Sequence, residues 1–366
     1  MKKLLILGAL VLGLQVQAQS EGLKDVLGRY FLIGTSLNQW QSAQQDCQAV
    51  SVVDHHFNAV VAENVMKLDE LQPAEGMFDF RHADEMVKFA EEHGQTLIGH
   101  CLVWHSQVPA WFFKDKQGEN VSREVLVERM RRHIATVVGR YRGKVHGWDV
   151  VNEAVNDDGS MRQTPYYNII GDDFIEIAFQ AAHEADPDAE LYYNDYGLAN
   201  PAKREGVCRL IKRLQEKGCR IDAVGMQSHN GLNYPDLKDY EASIDAFAAC
   251  GVKVMITELD INVLPNPQGL AGAAVEQNFD YQQRFNPYTD GLPEEVARQV
   301  EQRWLDHFAI YKRHAHQISR INLWGIADYN SWLNDWPVHG RINYPLLFDR
   351  EYKEKPVVQK IINLFK

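Results

Sequence analysis

The chain has 366 residues, with 50 acidic side chains against 38 basic ones and a formal charge of −12 when histidine is neutral. That sign repels a phosphate backbone and an anionic lipid surface, so neither nucleic acid nor membrane is an expected partner. The length exceeds that of an ordinary domain but suits one large α/β architecture with a substantial core.

The first element is a leader. Lys2 and Lys3 precede an 11-residue apolar run over positions 4–14, and Val16-Gln17-Ala18 places small residues at the two positions a signal peptidase reads. The run falls well short of the roughly 20 residues a spanning helix needs, and no later stretch is long and apolar enough to stop transfer. The expectation is a signal peptide over residues 1–18, cleavage near Ala18, and one domain over 19–366, secreted or periplasmic and without membrane insertion. Removing the leader leaves 366 − 18 = 348 residues and moves the charge from −12 to −14. Five cysteines (Cys47, Cys101, Cys208, Cys219, Cys250) match no metal-knuckle spacing; they allow one disulfide and require none.

Beyond the leader, strand-like runs occupy residues 30–38, 58–67, 96–105, 145–154, 190–196, 223–229, 253–261 and 318–327, with no Pro/Ser-rich linker between them. Helical patterns follow, among them residues 79–93 and 123–142, which stop at Gly94 and Gly143 as glycine-capped helices do. The last strand leads through a loop to a helix over 356–365. Eight alternating units predict an α/β fold closed into a single (β/α)8 TIM barrel. No phosphate-cradling glycine motif opens any helix, which removes support for an open nucleotide-binding sheet. Residues 262–293, rich in Asn, Gln, Pro and Gly, are too many for an ordinary connection and read as an active-site loop.

Function in such barrels sits at the C-terminal strand ends, and here those ends are polar. They read AENVMK (62–67), HCLVWH (100–105), WDVVNE (148–153), YNDY (193–196), MQSH (226–229), TELD (257–260) and, at the eighth, Leu323-Trp324 with Trp332 beyond. Carboxylates and amides grip hydroxyls, and indoles stack on sugar rings, so a polyhydroxylated substrate is indicated. Cleaving a glycosidic bond takes two carboxyl groups, and Glu153 and Glu258, ending the fourth and seventh strands, are the best pair. Alone, Glu153 would read as a surface carboxylate and His229 as a core histidine; each gains weight from its partner motif. Trp111, Trp148, Trp304 and Trp336 are assigned to packing. His55-His56 and the HxH of His314 to His316 fall in helical patterns, so no metal is assigned, and the charged helix over 293–314 is read as a solvated outer face.

The runs FNAVVAENVMKLDELQPAEGMFDFRHAD (57–84), GHCLVWHSQVPAW (99–111), WDVVNEA (148–154), GMQSH (225–229) and ITELDI (256–261) resemble, in order, glycoside hydrolase family 10, the β-1,4-xylanases. The resemblance implies a retaining endo-1,4-β-xylanase acting on xylan and xylo-oligosaccharides, a monomer needing no cofactor. Glu153 is then the acid/base and Glu258 the nucleophile, with carboxyl groups about 5–5.5 Å apart. It further implies Asn152 on the sugar 2-hydroxyl and His229, held by Asp260, orienting Glu258. Glu63, Asn64, Lys67, His100, Trp104 and Gln227 would line the glycone side, Tyr196 the aglycone side, and Trp324 and Trp332 would cover the cleft. Leu68, Ala62 and Gln72 depart from the usual Trp, Thr and Glu. Two competitors remain: a related retaining β-1,4-glycanase of cellulase type, and a non-catalytic glycan-binding protein, which would have lost a carboxylate.

Overall fold

In a computed structural model, residues 21–270, 275 and 277–366 are described; the leader expected over 1–18 lies outside them. Among these described residues nine parallel strands form: β1 Leu32–Leu37, β2 Ala59–Ala62, β3 Thr96–Val103, β4 Gly147–Asn152, β5 Glu190–Asp195, β6 Ala223–Met226, β7 His229–Gly231, β8 Lys253–Asn262 and β9 Ile318–Leu323. Pairing runs β6-β5-β4-β3-β2-β1-β9-β8, and β6 also pairs β8, which closes the sheet into a barrel. β7 is a short extension of the sixth position, reached across Gln227 and Ser228 and laid against Asp260 to Asn262 of β8. The chain is therefore a (β/α)8 TIM barrel, as the alternation predicts.

The strands are buried on both faces, which is why they read as continuous apolar runs and not as alternating ones. Val61, Ile98, Tyr192, Ala223 and Met255 fill the barrel interior beneath Trp324, while a larger core lies between the sheet and its helices. The expected helices appear at Arg81–Glu92 and Arg123–Arg140, followed by Gly94 (φ 60°) and Gly143 (φ 72°) in the left-handed conformation that ends such helices cheaply.

Three expectations need correction. Residues 63–67 are not strand: β2 stops at Ala62 and the chain turns into the helix Leu68–Leu71, because the polar run has no ladder partner at the barrel rim. Likewise β9 stops at Leu323, short of 327. The helix Glu294–Arg313 is solvated on one face only; Trp304, Phe308 and Tyr311 on the other are fully buried. Burying a phenylalanine of that kind contributes about 1.5–3 kcal/mol. The departing Gln72 is itself buried: its Oε1 lies 3.0 Å from Nδ1 of His133, whose pKa burial lowers to about 3, so a neutral amide meets a neutral imidazole.

Candidate active site

Register breaks set the two glutamates apart from their ladders. The β4–β5 pairing slips between Asp149 and Val151, and the β8–β9 pairing slips between Ile256 and Leu259, bracketing Glu258; such irregularities re-aim side chains. Glu153, the residue after β4, takes φ 59°, a left-handed conformation costly for a side chain of its size. Its backbone N–H donates to the Asn194 carbonyl at 2.9 Å, and that of Glu258 to the Gln227 carbonyl, also at 2.9 Å.

The carboxyl of Glu153 accepts from Trp104 Nε1 at 2.8 Å on one oxygen and from Gln227 Nε2 at 2.9 Å and Asn152 Nδ2 at 3.2 Å on the other. All three donors are neutral. Burial, and next the charge of Asp195, push its pKa above the usual glutamate value against these bonds; Glu258 adds a smaller contribution. As the neighbouring charge, Asp195 thus ranks ahead of Glu258.

Glu258 is as buried as Glu153, yet its pKa moves down. Burial opposes ionisation there, but the His229 hydrogen bond, the charges of His100 and His229, and an Asn194 hydrogen bond outweigh it. His229 lies between two acids, with Nε2 3.1 Å from Glu258 and Nδ1 3.0 Å from Asp260. Burial disfavours its charge, but Asp260 foremost and then Glu258 raise its pKa to about 10, so it is an imidazolium at neutral pH. Asp260 is held in turn by Trp332 Nε1 at 2.8 Å.

Asn194 joins the two halves. Its Nδ2 donates to Glu258 Oε1 at 2.8 Å and to Asn152 Oδ1 at 2.9 Å, while its Oδ1 accepts from Thr257 at 2.6 Å. A Cβ at Gly225 would sit 2.3 Å from that Oδ1, so only glycine leaves room for the amide. Sequence reasoning left Asn194 out of the site although YND was noted as a strand end: periodicity says which residues reach the rim, not which bridge it.

Around the glutamates the cleft forms two depressions that share His229 and Trp332. One, of about 150 Å³, takes Glu63, Asn64, Lys67, His100 and Trp104 together with Trp324. Lys67 donates to Asn64 at 2.9 Å and to Gln107 at 2.8 Å, and His100 Nδ1 lies 2.9 Å from Asp149. Gln107 and Asp149 are further residues that the sequence did not single out for the site. The other depression, of about 320 Å³, is lined by Tyr196, Tyr234, Asn262 and Asn266. Here Trp336, assigned to packing, is corrected: its ring stacks on Trp332 at 4.6 Å and 14°, and both indoles face this depression. The long loop after β8 takes part in both depressions, through Val275 in the first and Leu270 in the second.

The histidine pairs lie elsewhere. His314 bonds Glu241 and Gln317 just past its helix. His56, its pKa lowered by burial to about 3, accepts from the Leu23 N–H on Nδ1 and meets Glu354 at 3.3 Å through Nε2, so a neutral imidazole links these segments.

A barrel holding one carboxyl group toward its acid form and another toward its ionised form, beneath facing indoles, has the two-carboxylate equipment of a glycosidase. The model of glycosyl hydrolase family 10 matches residues 22–364, and the chain belongs to that family. It is thus a glycoside hydrolase. It is 55% identical to endo-1,4-beta-xylanase A of Xylanibacter ruminicola, with 98% of each chain covered. A solved family 10 endoxylanase retrieved from a sugarcane-soil metagenome superposes with a TM-score of 0.91 at 43% identity, over 94% of this chain and 100% of the other. A mutant structure in complex with xylotriose superposes with a TM-score of 0.84 at 33% identity, over 94% and 100%.

Proposed function

We propose that the chain is an exported endo-1,4-β-xylanase that cuts internal bonds of xylan by double displacement. The observation carrying this reading is the opposite electrostatic setting of two equally buried glutamates. Glu258, ionised, attacks the anomeric carbon while Glu153 protonates the departing glycosidic oxygen; water then hydrolyses the glycosyl ester with Glu153 as base. Forming the ester removes the Glu258 charge and one of the influences holding Glu153 protonated. Asp195 persists through both steps, so the pKa of Glu153 cycles only in part.

Asn152 grips the sugar 2-hydroxyl, and His229, fixed by Asp260, orients Glu258. Glu63, Asn64, Lys67, His100, Trp104 and Gln227 hold the glycone end; Trp324 and Trp332 cover the cleavage point, and Tyr196 receives the aglycone. Two depressions meeting at His229 and Trp332 suit a chain running across the site, as internal cleavage needs. The similarity to the xylanases named above supports xylan over cellulose. Export rests on the leader pattern of residues 1–18, and among the described residues no helix is long and apolar enough to cross a membrane. The domain over 19–366 is taken to act as a monomer, with side chains and water alone supplying the chemistry.

The test compares aryl β-xylobioside with aryl β-cellobioside. Faster release from the xyloside, abolished in a folded Glu258→Ala variant, is expected; preference for the cellobioside, or normal activity in that variant, contradicts the proposal.

A further inference from the structure

The five cysteines are all thiols in this structure, and they do not stand alike. Cys101 and Cys219 are buried in separate places, and Cys47 is exposed near the chain's start. Cys208 and Cys250 are both half-buried and come from neighbouring helices on the barrel's outer surface. Cys208 lies midway along Pro201–Glu216, and Cys250 caps the C-terminus of Leu237–Ala249. The Cys208 thiol points at the last turn of the second helix, with Sγ 3.9 Å from the Ala246 carbonyl, one helical turn before Cys250. Gln215 from the first helix donates to the Cys250 carbonyl at 3.0 Å, and Arg204 donates to Asp239 and Ser243 at 3.1 and 3.2 Å. The helices are thus already fastened on both sides of the thiols, which face each other across one helical turn.

The geometry points to a cross-linking site: Cys208 and Cys250 close a disulfide by exchange with a small-molecule or protein disulfide, stapling the two helices that flank the sixth barrel position. The Cys208 thiol, pushed up to about 12 by burial and then by Cys250 beside it, is the poorer nucleophile at neutral pH. Cys250 attacks one sulfur of the oxidant, its proton passing to solvent, releasing the first thiolate and forming a mixed disulfide. Cys208 deprotonates to water and attacks the Cys250 sulfur, expelling the second thiolate. Two protein thiols are oxidised, one disulfide is reduced to two thiols, and the two protons end on the leaving groups.

The closed loop runs from 208 to 250 and contains β6, β7, Gln227 and His229. Residues at the N-terminal ends of the same two helices, Pro201 and Asp236, line a depression of about 320 Å³ that shares His229 and Tyr234 with the cleft. The staple thus constrains the unfolded chain across a catalytic segment while its sulfurs stay outside the cleft. Only the source of the oxidant rests on the export reading; the pairing itself does not.

The experiment takes the purified chain in a Cys47→Ser background, oxidises it with glutathione disulfide, and counts thiols in denaturant after the oxidant is removed. Two of the four remaining thiols are expected to disappear, and a proteolytic digest to yield one peptide pair joined through Cys208 and Cys250. Tm should rise by about 2–5 °C, reversibly on reduction, with the initial rate on soluble xylan unchanged. A further Cys208→Ser change should abolish all three signals. Four intact thiols, or a glutathione adduct on Cys250 that never resolves, overturns the pairing. If the pair forms in vitro but the chain is recovered only from the cytoplasm, with its thiols reduced, the export reading fails and the pairing stands.

Discussion

Glu153 and Glu258 are buried to within 1% of each other, at 6% and 5% exposed, and their carboxyl groups titrate in opposite directions. Around Glu153 the donors are an indole and two amides, which carry no charge, and Asp195 adds repulsion. Around Glu258 the principal donor is an imidazolium kept charged by Asp260. Burial alone pushes both carboxyls up; at Glu258 the His229 hydrogen bond, the charges of His100 and His229 and the Asn194 amide together reverse it. The roles proposed here therefore depend less on the glutamates than on whether a charged or a neutral hydrogen-bond donor stands beside each.

The largest effect should come from deleting one carboxyl at a time. Glu258→Ala is expected to lower kcat by at least about 10³-fold on every substrate, since no leaving group can replace an absent nucleophile. Glu153→Ala is expected to cost about 10²- to 10⁴-fold on xylan but far less on aryl glycosides with acidic phenols, which leave without protonation. Equal losses on both substrate types would erase the distinction. Next is Asn194→Ala, which breaks the bridge between the two halves; removing a hydrogen bond to a charged group predicts about a 10- to 100-fold fall in kcat. Little change in single-turnover rates would mean that the amide merely fills space.

The pH profile sharpens the same contrast. Glu258 must be ionised, so kcat/KM is lost as pH falls through a pKa held below the usual glutamate value. Glu153 must be protonated, so activity is lost as pH rises through a pKa held above it. His229→Asn removes the cation and should move the acid limb toward higher pH while leaving the alkaline limb nearly in place; an unmoved acid limb contradicts the role given to the imidazolium. The smallest effect belongs to the cleft edge: Trp336→Ala should raise KM for long xylo-oligosaccharides about 3- to 10-fold with kcat held.

The barrel and the glutamates were legible because strand ends repeat at regular spacing and the motifs around Glu153 and Glu258 are short and local. What escaped depends on contacts between distant segments. Asn194 matters because Gly225 and Thr257, on two other strands, make room for it and orient it. Trp336 reads as packing until Trp332 is seen stacked against it. Asp195 outranks Glu258 at Glu153, an ordering that strand spacing does not encode. The helix Glu294–Arg313 misled because its many charges hide an apolar stripe of ordinary helical period.

The central claim is that the chain cuts through a covalent ester on Glu258 with Glu153 as proton carrier, their carboxyl groups about 5–5.5 Å apart as retention requires. Incubation with a 2-deoxy-2-fluoro-xylobioside bearing a dinitrophenyl leaving group, followed by mass spectrometry of a digest, tests it directly. The account predicts a stable glycosyl adduct on the peptide containing Glu258, on that residue; an adduct on Glu153, or turnover with no trapped ester, contradicts it.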